Sequence, residues 1–176
     1  MTAFPNWQSF VVPQRHPESC IPWSYEIILR AHGVVGIAFD TFQDDFNLNQ
    51  KGTLANFQNV AAAVHQRYPH VEFGVQGFVR GDGAKKLAFV ESRIIAKQPT
   101  AISLSNEGLT GRQKDAGKYH IMPVVDADGS ALYLLHAAAL VGCGVLMQVL
   151  QLAKSDLVRI HDTIDGGNDV AFLAKP

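Results

Sequence analysis

The chain has 176 residues, enough for one domain, or two lobes sharing a core, to bury its apolar side chains without disulfide or metal staples. Its 15 Lys and Arg nearly balance its 16 Asp and Glu, which argues against a nucleic-acid partner and against disorder. Two cysteines, Cys20 and Cys143, are too few for a secreted disulfide framework, and the opening "MTAFPNWQSF" has neither the basic start nor the apolar core of an export signal, so a cytoplasmic location is expected.

The first predicted element is a helix from Ser19 to Ala31. Ile21, Tyr25, Ile28 and Leu29 fall near helical spacing, Pro22 belongs to the first turn, and His32-Gly33 ends the run. An acidic, amide-rich loop, "DTFQDDFNLNQKG", leads to a second helix from Thr53, its expected cap, to about Arg67, stopped before Pro69. A short strand is expected in "HVEFGVQGF". A third helix follows in "GDGAKKLAFVESRIIAKQP", with Leu87, Val90, Ile94 and Ile95 on one stripe. "TAISLS" alternates as a strand, and "NEGLTGRQKDAGK" reads as a loop over the strand after it, "YHIMPVVD". Then come "SALYLLH" as a strand, "VLMQVLQLA" as strand or helix, a short helix capped by Ser155 and running to about Ile164, and a last strand, "DVAFLA". Helices lead and strands follow, so an α+β fold is expected. The apolar run from Ala137 to Ala153 is shorter than the roughly 20 residues of a membrane span and carries Gln148 and Gln151, so it is read as core, and no membrane partner is expected. Cys143, between two glycines in that run, is read as a small buried hydrophobe.

Two places carry chemistry. A cysteine in the first turn of a helix faces unpaired backbone N–H groups and the positive end of the helix dipole, and both favour thiolate; a nearby histidine makes it a nucleophile. A hairpin in "HIMPVVDADGSALYLLH" nominates that histidine. A three-residue loop, Ala127-Asp128-Gly129 with Gly129 left-handed, makes Asp126 face Ser130, and counting back makes His120 face His136 on one side of the sheet. A two-residue loop would separate the pair.

Gln14, Cys20 and Trp23 in "QRHPESCIPW", with His120 far downstream and a position sixteen residues beyond it, resemble the papain-like cysteine peptidases. The order of elements is similar to the compact bacterial branch that processes bacteriocin leaders. The resemblance implies a papain-like fold in a single domain over 1–176, with a helical lobe carrying the catalytic cysteine (about 1–98) and an antiparallel β-sheet lobe carrying the catalytic histidine (99–176). It implies Cys20 as nucleophile, His120 as base and acid, Gln14 in the oxyanion hole, position 136 as the group that orients His120, and Trp23 against the substrate. A peptide or protein substrate follows from it, with no cofactor and no metal; oligomeric state is left open.

The chain departs from that pattern at His136, where the family has Asn or Asp, since a neutral imidazole supplies no negative charge to steady an imidazolium. Pro123 lies inside the histidine strand, which marks an edge or an irregularity. Two further readings stand beside the hydrolase, or an acyl transferase using the same machinery. One is an inactive relative that binds a peptide in the cleft; the other is a metal site made of Cys20, His120 and His136. His16 is weighed as a cleft residue, while His32, His65, His70 and His161 are assigned to surface or packing. "DADG" is a hairpin turn and not a calcium loop, and "GDG" at 81–83 is no phosphate cradle.

Overall fold

The computed structural model describes residues 7–113, 117–140, 144–163 and 169–175, the side chains of 137–147 and 163 excepted. Cys143 lies outside the residues so described. The chain is α+β, as its pattern of elements implies: six antiparallel strands form one sheet with helices on both faces. In chain order the elements are α1 (Cys20–Ala31), α2 (Phe42–Asp45), α3 (Phe57–Arg67), β1 (Glu72–Gly77), α4 (Gly83–Ile95), β2 (Thr100–Ser105), α5 (Asn106–Thr110), β3 (Tyr119–Ala127), β4 (Ala131–Leu140), β5 (Gly144–Ala153), α6 (Lys154–Thr163) and β6 (Asp169–Lys175). Across the sheet the order is β1-β6-β2-β3-β4-β5.

Strand alternation divides the core in two. Ala101, Ile121, Ala171 and Leu173 face α1 and α3, where they meet Tyr25, Ile28, Leu29, Val60 and Val64. Ile102, Leu104, Met122, Val124 and Val170 face the other way, against Val90 and Ile94 of α4 and Leu157 and Ile160 of α6. A satellite cluster on the α1 side joins Trp23 and Ile27 to Val125 and Leu135 and is covered by Trp7, Phe10 and Val12. α1 therefore buries two stripes, which is why almost all of it, from Ile21 to Leu29, is out of contact with solvent.

Several boundaries differ from the sequence reading. The second expected helix starts at Phe57 because Asn56, and not Thr53, caps it, its side-chain oxygen accepting from the Asn59 N–H. The ambiguous segment before α6 is strand β5, paired with β4 along its whole length. Part of the expected loop after β2 is the short helix α5, capped by Ser105. The division near residue 98 does not separate in space, since β1 joins the sheet through β6 and α4 lies on the face opposite α1. Gly83 of "GDG" opens α4 against α6. Its N–H donates to Asp162 Oδ1 at 2.7 Å and a Cβ there would collide with the same oxygen, so the glycine serves helix contact. No helix among the described residues is long and apolar enough to cross a membrane.

Candidate functional site around Cys20

Cys20 is the first residue of α1, and it lines a cavity of about 550 Å³ together with Glu18, Asn49, Asn56, Ser103, Tyr119 and Asp169. Three main-chain N–H groups lie near its sulfur and favour the thiolate. Two, from Cys20 and Ile21, belong to the open first turn of the helix; the third comes from Ile121 on β3.

Ladder geometry explains the third. The Asn106 N–H donates to the Lys118 carbonyl, so in the antiparallel pairing His120 and Met122 turn their backbone groups to β2, while Tyr119, Ile121 and Pro123 turn theirs the other way. On that side the described ladder with β4 begins only at Val124↔Leu134, and Pro123 has no N–H with which to extend it. The Ile121 N–H is thereby left for the sulfur.

His120 immediately precedes Ile121, and consecutive Cα atoms are about 3.8 Å apart. The sulfur thus lies at the edge of β3 beside the main chain of His120. The imidazole itself follows strand alternation to the other face: its cross-strand partner Leu104 belongs to the α4–α6 core, whereas Ile121 belongs to the α1 core. No hydrogen bond joins Cys20 to His120 among the described residues. His120 instead rests on His136, with ring centroids 4.5 Å apart and planes inclined by 36°, and its Nε2 is buried without a partner.

The two histidines meet by a route different from the expected one. Ala127 pairs with Leu132 and the Asp128 N–H donates to the Ala131 carbonyl, so the loop has two residues, Gly129 and Ser130. Gly129 is not left-handed. The carboxylate of Asp128 closes the turn instead, accepting from the N–H groups of Ser130 (2.7 Å) and Ala131 (2.8 Å) and from the Tyr133 hydroxyl (2.7 Å). Such a loop alone would put the histidines on opposite faces. A bulge between Val124 and Asp126 restores the parity, so His120 meets His136 as a diagonal neighbour.

Burial keeps the Cys20 and His120 side chains neutral. Burial pushes the Cys20 thiol up, against the pull of the three N–H groups. Burial first, and the neighbouring His136 second, bring His120 down to about 4, and burial lowers His136 as well. At neutral pH the resting state is a thiol and a neutral imidazole.

The other expected site residues are placed as follows. Gln14 is buried, donates its side-chain amide to the His16 carbonyl and does not line the cavity. Trp23 cannot meet a substrate: it is fully buried, with its indole N–H donating to the Val12 carbonyl at 2.7 Å, because its position on α1 faces Val125 and Leu135 of the sheet. His16 lies on Asp44, 2.5 Å away, and away from the cavity lining.

Residues that the pattern did not announce hold the site together. Gln43, buried at α2, accepts from the Arg15 N–H (2.8 Å) and the Ser19 hydroxyl (3.3 Å), and donates to the Pro13 carbonyl and to Glu26 Oε2, both at 2.9 Å. Glu26, buried within α1, is paired with Arg30 one turn on. This network fixes the segment that leads into Cys20. Behind the cavity wall Lys86, without exposed surface, donates Nζ to the Ser103 carbonyl at 2.7 Å, just past the last β2–β6 pair, Ile102↔Val170. Burial lowers its ammonium to about 7, with Asp169 opposing. Its spacing of four from Val90, and of eight from Ile94, was the available signal: Lys86 sits on the apolar stripe of α4.

Among the described residues no group of three or more His, Cys, Asp or Glu is arranged to hold a metal ion, which weighs against the three-ligand reading of Cys20, His120 and His136. In comparisons with family models, curated proteins and solved structures, the chain matches none.

Proposed function

We propose that the chain is a papain-like thiol hydrolase acting on acyl groups, peptide bonds foremost, with Cys20 as nucleophile and His120 as base and acid. The observation that supports this most is the placement of the Cys20 thiol, in the first turn of α1, near the main chain of Ile121, the strand position next to a histidine. In the reaction Cys20 Sγ attacks the acyl carbon and the S–C bond forms as the thiol proton passes to His120. His120 then gives that proton to the leaving amine as the C–N bond breaks. Water attacks the thioester, yielding its proton through His120 and restoring the thiol as the carboxylic acid leaves. The main-chain N–H groups of Cys20 and Ile21, in the open first turn beside the sulfur, are the donors assigned to the developing oxyanion.

Two neutral partners make proton transfer part of the attack and not a prelude to it. The His120 ring lies on the sheet face opposite the one Ile121 and Cys20 share, so the reaction also requires the main chain at the start of β3 to rearrange and turn the ring to the sulfur. Both features predict a slow enzyme. A thiol-directed epoxide or acyloxymethyl ketone peptide, with the adduct located by mass, tests the reading. Cys20 should be labelled faster than Cys143, and His120→Ala should slow it; equal rates at the two cysteines, unchanged by His120→Ala, would refute it.

The outward turn of the His120 ring favours a second reading, a relative that binds peptides in the cavity without cleaving them. Peptide binding retained with an inert Cys20, and no hydrolysis restored by His136→Asn, would select it.

A further inference from the structure

The Cys20 cavity is electrostatically one-sided. Glu18 and Asp169 are among its lining residues, and among the described residues no Lys, Arg or His is. Glu18 is exposed, two positions before the nucleophile. Asp169 opens β6 at the inner wall, where its Oδ2 accepts from Gln58 Nε2 at 3.1 Å, leaving Oδ1 without a hydrogen bond among the described residues. Phe57 and Tyr119 add aromatic surface, of which Tyr119 is 45% exposed. Lys86, whose charge Asp169 favours, has no exposed surface and points its Nζ at a main-chain carbonyl, so it does not fill the cavity.

Two carboxylates with oxygens that have no hydrogen bond among the described residues, aromatic walls and room for a side chain make a receptor for an ammonium or guanidinium on an apolar stem, held by charge at its head and by cation–π and apolar contact along its length. We infer that the cavity selects acyl substrates carrying a cationic side chain, lysine or arginine in a peptide, next to the reacting carbonyl, with Asp169 as the specificity-determining residue and Glu18 reinforcing it at the rim. This rests on the reading of Cys20 as nucleophile, and the experiment separates the two.

Two acyloxymethyl ketone peptides that differ only in lysine against norleucine at the residue bearing the ketone are reacted with the full chain, and Cys20 adducts are followed by intact mass. The lysine probe should react at least tenfold faster, the ratio should shrink as salt is raised, and Asp169→Asn should bring it towards one. Equal rates for the two probes on the unmodified chain would overturn the specificity while leaving the nucleophile standing. If neither probe labels Cys20, the nucleophile reading fails. The specificity then stands or falls on equilibrium binding of the corresponding fluorescent peptide amides to Cys20→Ala, where preference for lysine supports it and equal affinity refutes it. Because Asp169→Asn also loses the full strength of the Gln58 contact, Glu18→Gln, at an exposed position, serves as the second variant and should lower the ratio by a smaller factor.

Discussion

The two ends of the β3–β4 hairpin are built to opposite standards. At the turn, the Asp128 carboxylate takes two backbone N–H groups and a tyrosine hydroxyl, so the polar groups there are satisfied locally. At the far end the ladder is interrupted, His120 Nε2 is buried with no partner among the described residues, and a backbone N–H lies near a thiol. One end uses polar atoms to hold register; the other leaves them unsatisfied where chemistry is proposed. An orphaned buried nitrogen costs about 1–3 kcal/mol, and a fold retains such a cost more readily where the group has a task. The bulge between Val124 and Asp126 lies between the two regimes and lets the closed end dictate parity to the open one.

Breaking the open end should have the largest effect. His120→Ala should lower the rate of Cys20 acylation by a factor on the order of 10² or more, the usual contribution of a positioned base, measured as the second-order labelling constant. Acid should strike the same end. His120 is held at about 4, below its ordinary range near 6.5, so between those values the unfolded chain binds the proton more readily than the folded one. Its share of stability is complete above about pH 6.5 and is lost as pH falls towards 4, by up to about 3 kcal/mol. Urea midpoints taken from pH 7 to 4 should therefore fall more steeply for the native chain than for His120→Gln. His136→Asn sharpens the comparison by giving the open end the acceptor it lacks: the His120 pKa should rise and the labelling rate at pH 7 should increase about tenfold. Asp128→Ala, at the closed end, should lower Tm by a few degrees in thermal unfolding, with the smallest change in Cys20 reactivity of the series, provided the bulge keeps its parity.

How far the residues alone carried the reading differs between fold and site. Periodicity found the long helices and every strand but β5, whose segment it left as strand or helix, because apolar spacing reports burial directly. The first helix, expected from Ser19, begins one residue later at Cys20. The facing of the two histidines was reached through a wrong loop, because a carboxylate-closed turn and a bulge shift the register by amounts that no local pattern displays. Gln43 and Asp169 were invisible for a different reason. Each works through partners distant in the chain, Arg15 and Pro13 for the one and Gln58 for the other, and nothing in the flanking residues announces such pairings. Trp23 was misread because its position near a cysteine suggested a cleft, when the helical face it occupies points into the sheet.

The protonated state of the sulfur has a consequence for survival in the cell. Peroxide attacks thiolates and largely ignores thiols, so a cysteine held neutral by burial escapes sulfenic acid formation until something draws its proton away. The same desolvation that would slow the proposed attack on an acyl group should make Cys20 slower to oxidise than a cysteine held as a preformed anion.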